Sequence, residues 1–559
     1  MAACLQAAAA GQMQCKIINS SDSDSSTSVA GKAALDARLQ SFRQWLFRNA
    51  RLLQSLDIAV PAAAVQAAGI PAALQQAAAT QGAASLHIPA ATQSSSSSSA
   101  LQLQHFRGPL LTPLLRRLPG HSLTSLVIAD DEAHEQTDDW EAAARVQRSL
   151  RHLTRLQRLV LVEGDGMVED TNTNLLVPVL SHMQQLTFLD IGITRGMPQV
   201  LHHLPASLVE LNISAIENGY GETDENWERP LGNFLFGQLT ALTKLSLVRG
   251  VGEDLLPGDV LPASLVELRC SSVPSPEPLL HLQHLRLLAM GDTMPADGLR
   301  QLPTALMELQ HVDSCYHTSL VAAEAAAGWS CLPLQSLEIF AEGDFRLPSL
   351  RHIAGLTGWR SLKLNISCPD HHVQTYVQWS SSDLAAVLGE LKQLEAFELH
   401  GSGMFLPDGA PSTEHSLQIV RAAAGLSQLQ SLQLAHVEFG RQAAMQLSGL
   451  SQLTQLKLVG CSLVDYDVNV LALQLTALRV LEVPYNPRFG DSVLPVIAHH
   501  LQQLSSLQKM HTGVTELGLQ WLRGMQQLRK LGVCRGLASS PALAETHLDV
   551  DHYACAVCP

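Results

Sequence analysis

LTQLKLVGCSL, Leu453–Leu463, decides the architecture. Leu456 and Leu458 stand two apart, so on an extended strand they share one face while Lys457 points to the other. Leu453 sits where the chain enters that strand. One strand this short cannot bury its apolar face alone, so the segment makes sense only as one of a stack. Copies are present along most of the chain. With Ile, Val, Met or Phe allowed for Leu, the unit L-x-x-L-x-L recurs as LTSLVI from Leu123, LQRLVL from Leu156, LTFLDI from Leu186 and LVELNI from Leu208. It continues as LTKLSL from Leu242, LQSLEI from Leu334, LQSLQL from Leu429 and LRVLEV from Leu478. Weaker copies start at Leu265, Leu285, Leu306, Trp359, Leu394, Leu507 and Leu528, which makes 16 units at a mean spacing of about 27 residues. Two degenerate copies stand upstream, LQSLDI from Leu53 and ASLHI around Leu86.

The spacing predicts an α/β solenoid: a parallel sheet on the concave side, with mixed α-helical, 3₁₀ and extended segments on the convex side. WEAAARVQRSLRHL (Trp140–Leu153), SLVAAEAAAGW (Ser319–Trp329), GRQAAMQLSGL (Gly440–Leu450) and DSVLPVIAHHLQQL (Asp491–Leu504) read as helical backs. In the last of these Pro495 lies near the start, where a missing amide donor is tolerated. The units entered through LPASLVEL, LPASLVEL and LPTALMEL, at Leu208, Leu265 and Leu306, have too little chain for a long helix and call for thinner backs.

The pattern resembles the leucine-rich-repeat superfamily, and the mixed repeat lengths and alanine- and glutamine-rich backs look most like irregular intracellular members from plants and green algae. The fullest matches are LTQLKLVGCSL and LRVLEVPYNPRF (Leu478–Phe489). The resemblance implies a horseshoe, and at the ninth position an inward Cys or Asn that satisfies backbone groups where the strand ends. Cys461 and Asn486 match that position; Gly164 and Thr194 depart from it.

Outside the array, residues 1–31 contain SSDSDSSTS (Ser20–Ser28) and read as a disordered tail. Residues 32–60 hold an amphipathic helix around Trp45, which would cap the sheet edge, and the first degenerate repeat. Residues 61–122 read as a degenerate repeat and a low-complexity loop with six serines, Ser94–Ser99, residues 123–536 as the repeat array, and 537–559 as a C-terminal cap or tail.

Composition narrows the function. The chain has 559 residues, 51 acidic against 36 basic side chains, and a formal charge of −15, which argues against a phosphate-backbone binder. No nucleic acid is expected as a partner. Ten scattered cysteines do not make a disulfide scaffold. No apolar run is long enough for a membrane span, and MAACLQAAAAGQMQCK lacks a basic region before its small-residue stretch. The expected location is cytoplasmic or nuclear, with organelle targeting left open because no acid precedes Asp22. The chain is read as no enzyme, with no cofactor and no metal site: AGKAA (Ala30–Ala34) lacks the rest of a phosphate loop, and no hydrolase, metalloprotease or kinase signature occurs. CAVC (Cys555–Cys558) has no second half, and CPDHH (Cys368–His372) reads as an inserted loop.

What remains is a non-catalytic protein-interaction scaffold. The alternatives are a substrate-recognition subunit of a ubiquitin ligase resembling F-box proteins with leucine-rich repeats, for which residues 1–31 are too short to hold a complete F-box, and an enzyme with an unrecognised site. The middle position of each L-x-L lines the concave face: Asp190, Asn212, Ser246, Arg269, Ala289, Gln310, Glu338, Lys363, Glu398, Gln433, Lys457 and Glu482. Candidate partner-binding residues are Phe340, Glu398, His400, His436, Lys457, Glu482 and Tyr485. Three acidic runs follow strands and would emerge from one rim, represented by Asp130, Asp131, Glu132, Asp138, Asp139, Glu163, Asp165, Glu222, Asp224 and Glu225. Converging like charges favour a basic protein partner, with solubility as the competing account.

Overall fold

The computed structural model describes residues 13–18, 36–44 except 38, 53–59, 70–74, 103–109, 115–129, 148–162 except 149, 179–193, 204–215, 236–247, 258–270, 275–290, 300–312, 332–342, 358–367, 381–402, 413–508, 512–534 and 549–553, with single positions between them. The chain divides into two compact units, residues 1–271 and 272–559.

In the first unit the described strands are β1 (Met13–Ile18), β2 (Leu53–Ala59), β3 (His105–Pro109), β4 (Ser125–Ala129), β5 (Arg158–Val162), β6 (Phe188–Ile193), β7 (Glu210–Ala215), β8 (Lys244–Leu247) and β9 (Glu267–Cys270). Each pairs in parallel with the next, and the leucines stay in step: Leu126, Leu159, Leu189, Leu211, Leu245 and Leu268 are partners across successive strands. All six are buried. Between β8 and β9 the described residues 258–266 form turns and irregular chain, the thin back expected for an LPASLVEL entry.

The second unit repeats the scheme with β10 (Leu287–Met290), β11 (Glu308–Val312), β12 (Ser336–Glu342), β13 (Ser361–Ser367), β14 (Ala396–Ser402), β15 (Ser431–Ala435), β16 (Gln455–Val459), β17 (Val480–Glu482), β18 (Ser506–Gln508), β19 (Lys530–Cys534) and β20 (Asp549–Tyr553). Its described helices are α1 (Ser381–Glu390), α2 (Thr413–Ala424), α3 (Arg441–Leu447), α4 (Asp465–Gln474), α5 (Leu494–His500) and α6 (Glu516–Leu519). Their inner faces bury Ala443, Ala444 and Leu447 in α3 and Val468, Leu471 and Ala472 in α4. Leu456 and Leu458 are both fully buried while Lys457 is not, as the period of two requires. Parallel strands alternating with helices and short turns make a leucine-rich-repeat solenoid architecture.

One backbone device recurs in both units. The two amides that follow the first leucine of a repeat both donate to one carbonyl of the preceding repeat. Thr187 and Phe188 use the Gln157 carbonyl (2.8 and 2.9 Å), and Thr454 and Gln455 use that of Gln430 (2.9 and 3.0 Å). These bonds satisfy the donors exposed where each strand begins. At the strand ends of the second unit, Asn486 is fully buried. Its amide donates to the carbonyls of Leu458 (2.8 Å), Val483 (3.0 Å) and Pro484 (3.0 Å), and its oxygen accepts the Leu463 N–H (3.0 Å). Cys461 occupies the same place one repeat earlier, its thiol 3.4 Å from the Leu434 carbonyl. Helix entries are chained as well: the Asp465 carboxylate accepts the Gly490 N–H (2.6 Å) and the Ser492 hydroxyl, and Asp491 accepts the Thr515 N–H (2.7 Å).

Four boundaries differ from the sequence reading. Met13–Ile18 is a strand inside the segment read as a disordered tail, because Met13, Cys15 and Ile17 are spaced by Gln14 and Lys16 while the serine run that dominates the composition lies beyond it. His105–Pro109 and Asp549–Tyr553 add strands on either side of the 123–536 array. The weak copy placed at Leu507 begins instead at Leu504, since Leu507 is the buried strand residue in register with Leu481. The helix around Trp45 is described at residues 36–44, with Leu39 and Phe42 buried, while Trp45 itself lies outside the described residues. So do the helix read at Ser319–Trp329 and most of that at Trp140–Leu153.

Candidate functional site

Strand register fixes which side chains stand together on the sheet face away from the buried leucines. In the second unit the column runs Ala289, Gln310, Glu338, Lys363, Glu398, Gln433, Lys457 and Glu482, each the register partner of the next. Long charged side chains brought about 4.8 Å apart on adjacent strands must pair or repel. Here they pair. Lys363 Nζ lies 3.7 Å from Glu338 and 3.8 Å from Glu398, and Lys457 Nζ lies 3.1 Å from Glu482. The carboxylates are the less exposed partners, with the ammonium groups above them: side-chain exposure is 16% for Glu338 and 28% for Glu398 against 39% for Lys363.

His400, two residues beyond Glu398 on β14, turns back to that carboxylate, Nε2 to Oε1 at 2.8 Å, and the Gln433 carboxamide touches the same Nε2. Glu398 is consequently held below the usual carboxylate range, by the His400 hydrogen bond first, against the opposing effect of burial, and then by Lys363, His400 and Lys457 as nearby charges. On one side of this column the first outward position of four successive strands is small: Ser336, Ser361, Ala396 and Ser431.

At the strand ends, His436 (φ 58°), Gly460 (φ 59°) and Tyr485 (φ 60°) occupy equivalent places in three consecutive repeats, all left-handed. Glycine is the residue suited to that conformation. Two of the three places carry large side chains instead, and Tyr485 is 50% exposed. The absence of a Cβ at Gly460 admits the His436 ring, whose Nδ1 would lie 2.9 Å from such an atom.

Of the seven candidate partner-binding residues, Glu398, His400, Lys457 and Glu482 share the face just described, and His436 and Tyr485 stand at its strand-end edge. Phe340 is in β12 opposite Asn365 of β13, with its side chain outside the described residues. All ten acidic-rim residues lie outside the described residues: Asp130, Asp131, Glu132, Asp138, Asp139, Glu163, Asp165, Glu222, Asp224 and Glu225. The sequence reading placed Lys363 and Gln433 in the column but did not single them out. Their place beside Glu398 is set by the register between partners each 35 residues away in sequence, which no local pattern reveals.

The first unit has a different face. There charges stand at the first outward position of β5 and of β7 to β9: Arg158 stacks 3.5 Å over the Phe188 ring, and Lys244 pairs with Glu267 at 3.0 Å. Asp190, in the second position, is pushed up by burial, an effect partly opposed by a hydrogen bond from Asn212 and the charge of Arg158.

Among the described residues, groups suited to other chemistry are inert or scattered. Among the described residues no three of His, Cys, Asp and Glu converge to hold a metal ion. Burial pushes the Cys461 thiol up to about 12, far from a nucleophile's range. CPDHH and CAVC lie outside the described residues. Among the described residues no helix is long and apolar enough to cross a membrane.

No protein-family model and no curated protein matches the chain. Among solved structures, an internalin (inlF) from Listeria monocytogenes is similar at 18% identity over 78% of this chain and 88% of that one, with a TM-score of 0.27. The TLR13–ssRNA13 complex is similar at 16% identity over 78% of this chain and 61% of that one, with a TM-score of 0.33. Both scores fall below the level of a shared overall arrangement, so neither neighbour's properties transfer to this chain.

Proposed function

We propose that the chain is a non-catalytic protein-interaction scaffold, and that its partner docks on the open sheet face of residues 272–559. The observation that carries this reading is the in-register column Glu338–Lys363–Glu398–Gln433–Lys457–Glu482, edged by His436 and Tyr485. A face fixed by strand pairing is rigid, and its paired charges are already ordered, so little side-chain freedom remains to be lost on docking. Tyr485 brings a broad amphipathic surface, and its left-handed backbone is a cost that a purely structural position would avoid with glycine. The finer elements are a basic partner and steering by the acidic run of sequence around Asp130 and Asp139. Long-range charge acts chiefly on encounter, whereas side chains seated in partner pockets act on dissociation.

The test starts from a partner captured with the full chain and identified. In surface-immobilised kinetics, Tyr485→Ala and His436→Ala raise the dissociation rate about tenfold, as loss of a buried anchor does. Neutralising Asp130, Asp131, Glu132, Asp138 and Asp139 together slows association, and about 1 M salt, where the Debye length is roughly 3 Å, erases the difference. Unchanged dissociation from both aromatic variants would remove this face from the interaction.

A further inference from the structure

The centre of that face holds a ring whose hydrogen-bonding capacity is divided unequally. His400 Nε2 meets Glu398 Oε1 at 2.8 Å and also contacts the Gln433 carboxamide. A carboxylate only accepts, so in the neutral ring Nε2 carries the proton and Nδ1 carries the lone pair. The Gln433 amide then presents its oxygen to the same N–H, an orientation its two-fold ambiguity allows. Nδ1 has no hydrogen-bond partner among the described residues, and the side chain is 31% exposed. The neutral ring therefore offers an acceptor to whatever docks there.

The charged surroundings favour the same kind of occupant. On its own strand His400 faces Glu398; β13 contributes Lys363 and Asn365, β15 contributes Gln433 and Ala435 with His436 just beyond, and β16 contributes Lys457. Lys363 is committed to Glu338 and Glu398, and Lys457 to Glu482. Three carboxylates thus stand against two ammonium groups, a small negative excess on a chain of net charge −15.

Resting on the reading that this face binds a protein, we infer that His400 is a proton-controlled acceptor for a basic segment of the partner, engaged through Nδ1 when the ring is neutral and released when it is protonated. Protonation turns Nδ1 from acceptor to donor and cancels the local negative excess. Both changes oppose a guanidinium or ammonium group. The expected consequence is binding that weakens as the ring takes up a proton.

The test uses the full chain, a hexa-arginine peptide as probe, and three proteins: wild type, His400→Phe, which keeps a ring but has no acceptor, and Glu398→Gln. Nitrogen-15 histidine spectra, with His400 assigned by difference against His400→Phe, should report a neutral ring protonated on Nε2 and a Nδ1 signal that moves when peptide is added at pH 8. The wild-type affinity should exceed that of His400→Phe about tenfold at pH 8, the worth of one hydrogen bond to a charged group, and that advantage should disappear in acid once the ring is protonated. Glu398→Gln should weaken the Nε2 preference in the neutral ring, because the carboxylate that fixes the tautomer is gone. A ratio that does not change with pH, or peptide binding without movement of the His400 signal, overturns the inference. Either result can occur while the captured partner still depends on Tyr485 and His436, so this failure is distinct from failure of the face itself.

Discussion

The two units use one repeat and dress its outward positions differently. In residues 1–271, from β4 to β9, the first outward position of the strand carries Ser125, Arg158, Phe188, Glu210, Lys244 and Glu267, and the second carries Val127, Val160, Asp190, Asn212, Ser246 and Arg269. From β12 to β15 the order is reversed: Ser336, Ser361, Ala396 and Ser431 stand first, and Glu338, Lys363, Glu398 and Gln433 stand second, a column that Lys457 and Glu482 continue on β16 and β17. The buried leucines are the same in both. Those leucines determine which positions point outward, while the outward residues are free to differ, and function is written in them.

The joints differ too. At described joints of the first unit, hydroxyls tie one repeat to the last: Ser207 Oγ donates to the Leu186 carbonyl and Ser264 Oγ to that of Leu242, each at 2.7 Å. Between Leu434 and Thr515 the second unit adds a buried side-chain ladder of Cys461 and Asn486 and the aspartates at helix entries.

The largest expected effect tests what the units share. Leu456→Ala should cost about 2–5 kcal/mol through lost burial and a residual cavity. Lys457→Ala, one residue away, removes a partly exposed ion pair and should cost at most about 1 kcal/mol. Similar losses in denaturant titrations would mean the inward and outward assignments are wrong.

A smaller effect separates the joints. Asn486→Ala strands one buried N–H and removes the donor from three carbonyls, for about 3 kcal/mol. Ser264→Ala removes one hydroxyl bond, for about 1 kcal/mol. Hydrogen exchange of strand amides should report the first loss in residues 458–489 and the second around residues 242–268. A uniform response to both would contradict separate joints.

The smallest effect is a difference in sign with pH. Glu398 is lowered in the folded chain, so its contribution is present above the unfolded carboxylate value and is lost as pH falls through the lower folded value. Asp190 is raised, so its contribution is complete below the unfolded value and is lost as pH rises through the higher folded one. Glu398→Gln should therefore flatten the acid side of the stability profile, and Asp190→Asn should remove a loss lying above about pH 4, the ordinary aspartate value. Parallel profiles for the two variants would remove the contrast.

Most of the fold was legible because burial of a strand face imposes a period of two that survives substitution among Leu, Ile, Val, Met and Phe. The sixteen copies correspond to β4–β19, with only the Leu507 copy displaced by three residues. Strands β1, β3 and β20 were missed because their sequences, MQCKII, HFRGP and DVDHY, lack the anchoring leucines and pair on the strength of neighbours already in place. The face was legible as a column of residue types but not as chemistry. That Lys363 is shared by two glutamates, or that His400 bends back to Glu398, depends on side-chain reach across strands brought together by the whole stack. Left-handed backbone at His436 and Tyr485 had no local signal beyond the Gly460 that occupies the equivalent place.

The central claim is that the leucines make the scaffold and the second outward column of residues 272–559 makes the contact. Exchanging one ion pair in place, Lys457→Glu together with Glu482→Lys, keeps opposite charges 3.1 Å apart on β16 and β17 while reversing what the face presents. Stability should stay within about 1 kcal/mol of wild type. Affinity for the captured partner should fall at least about tenfold, because like charges then meet across the interface. Undiminished affinity in the exchanged protein would contradict the account.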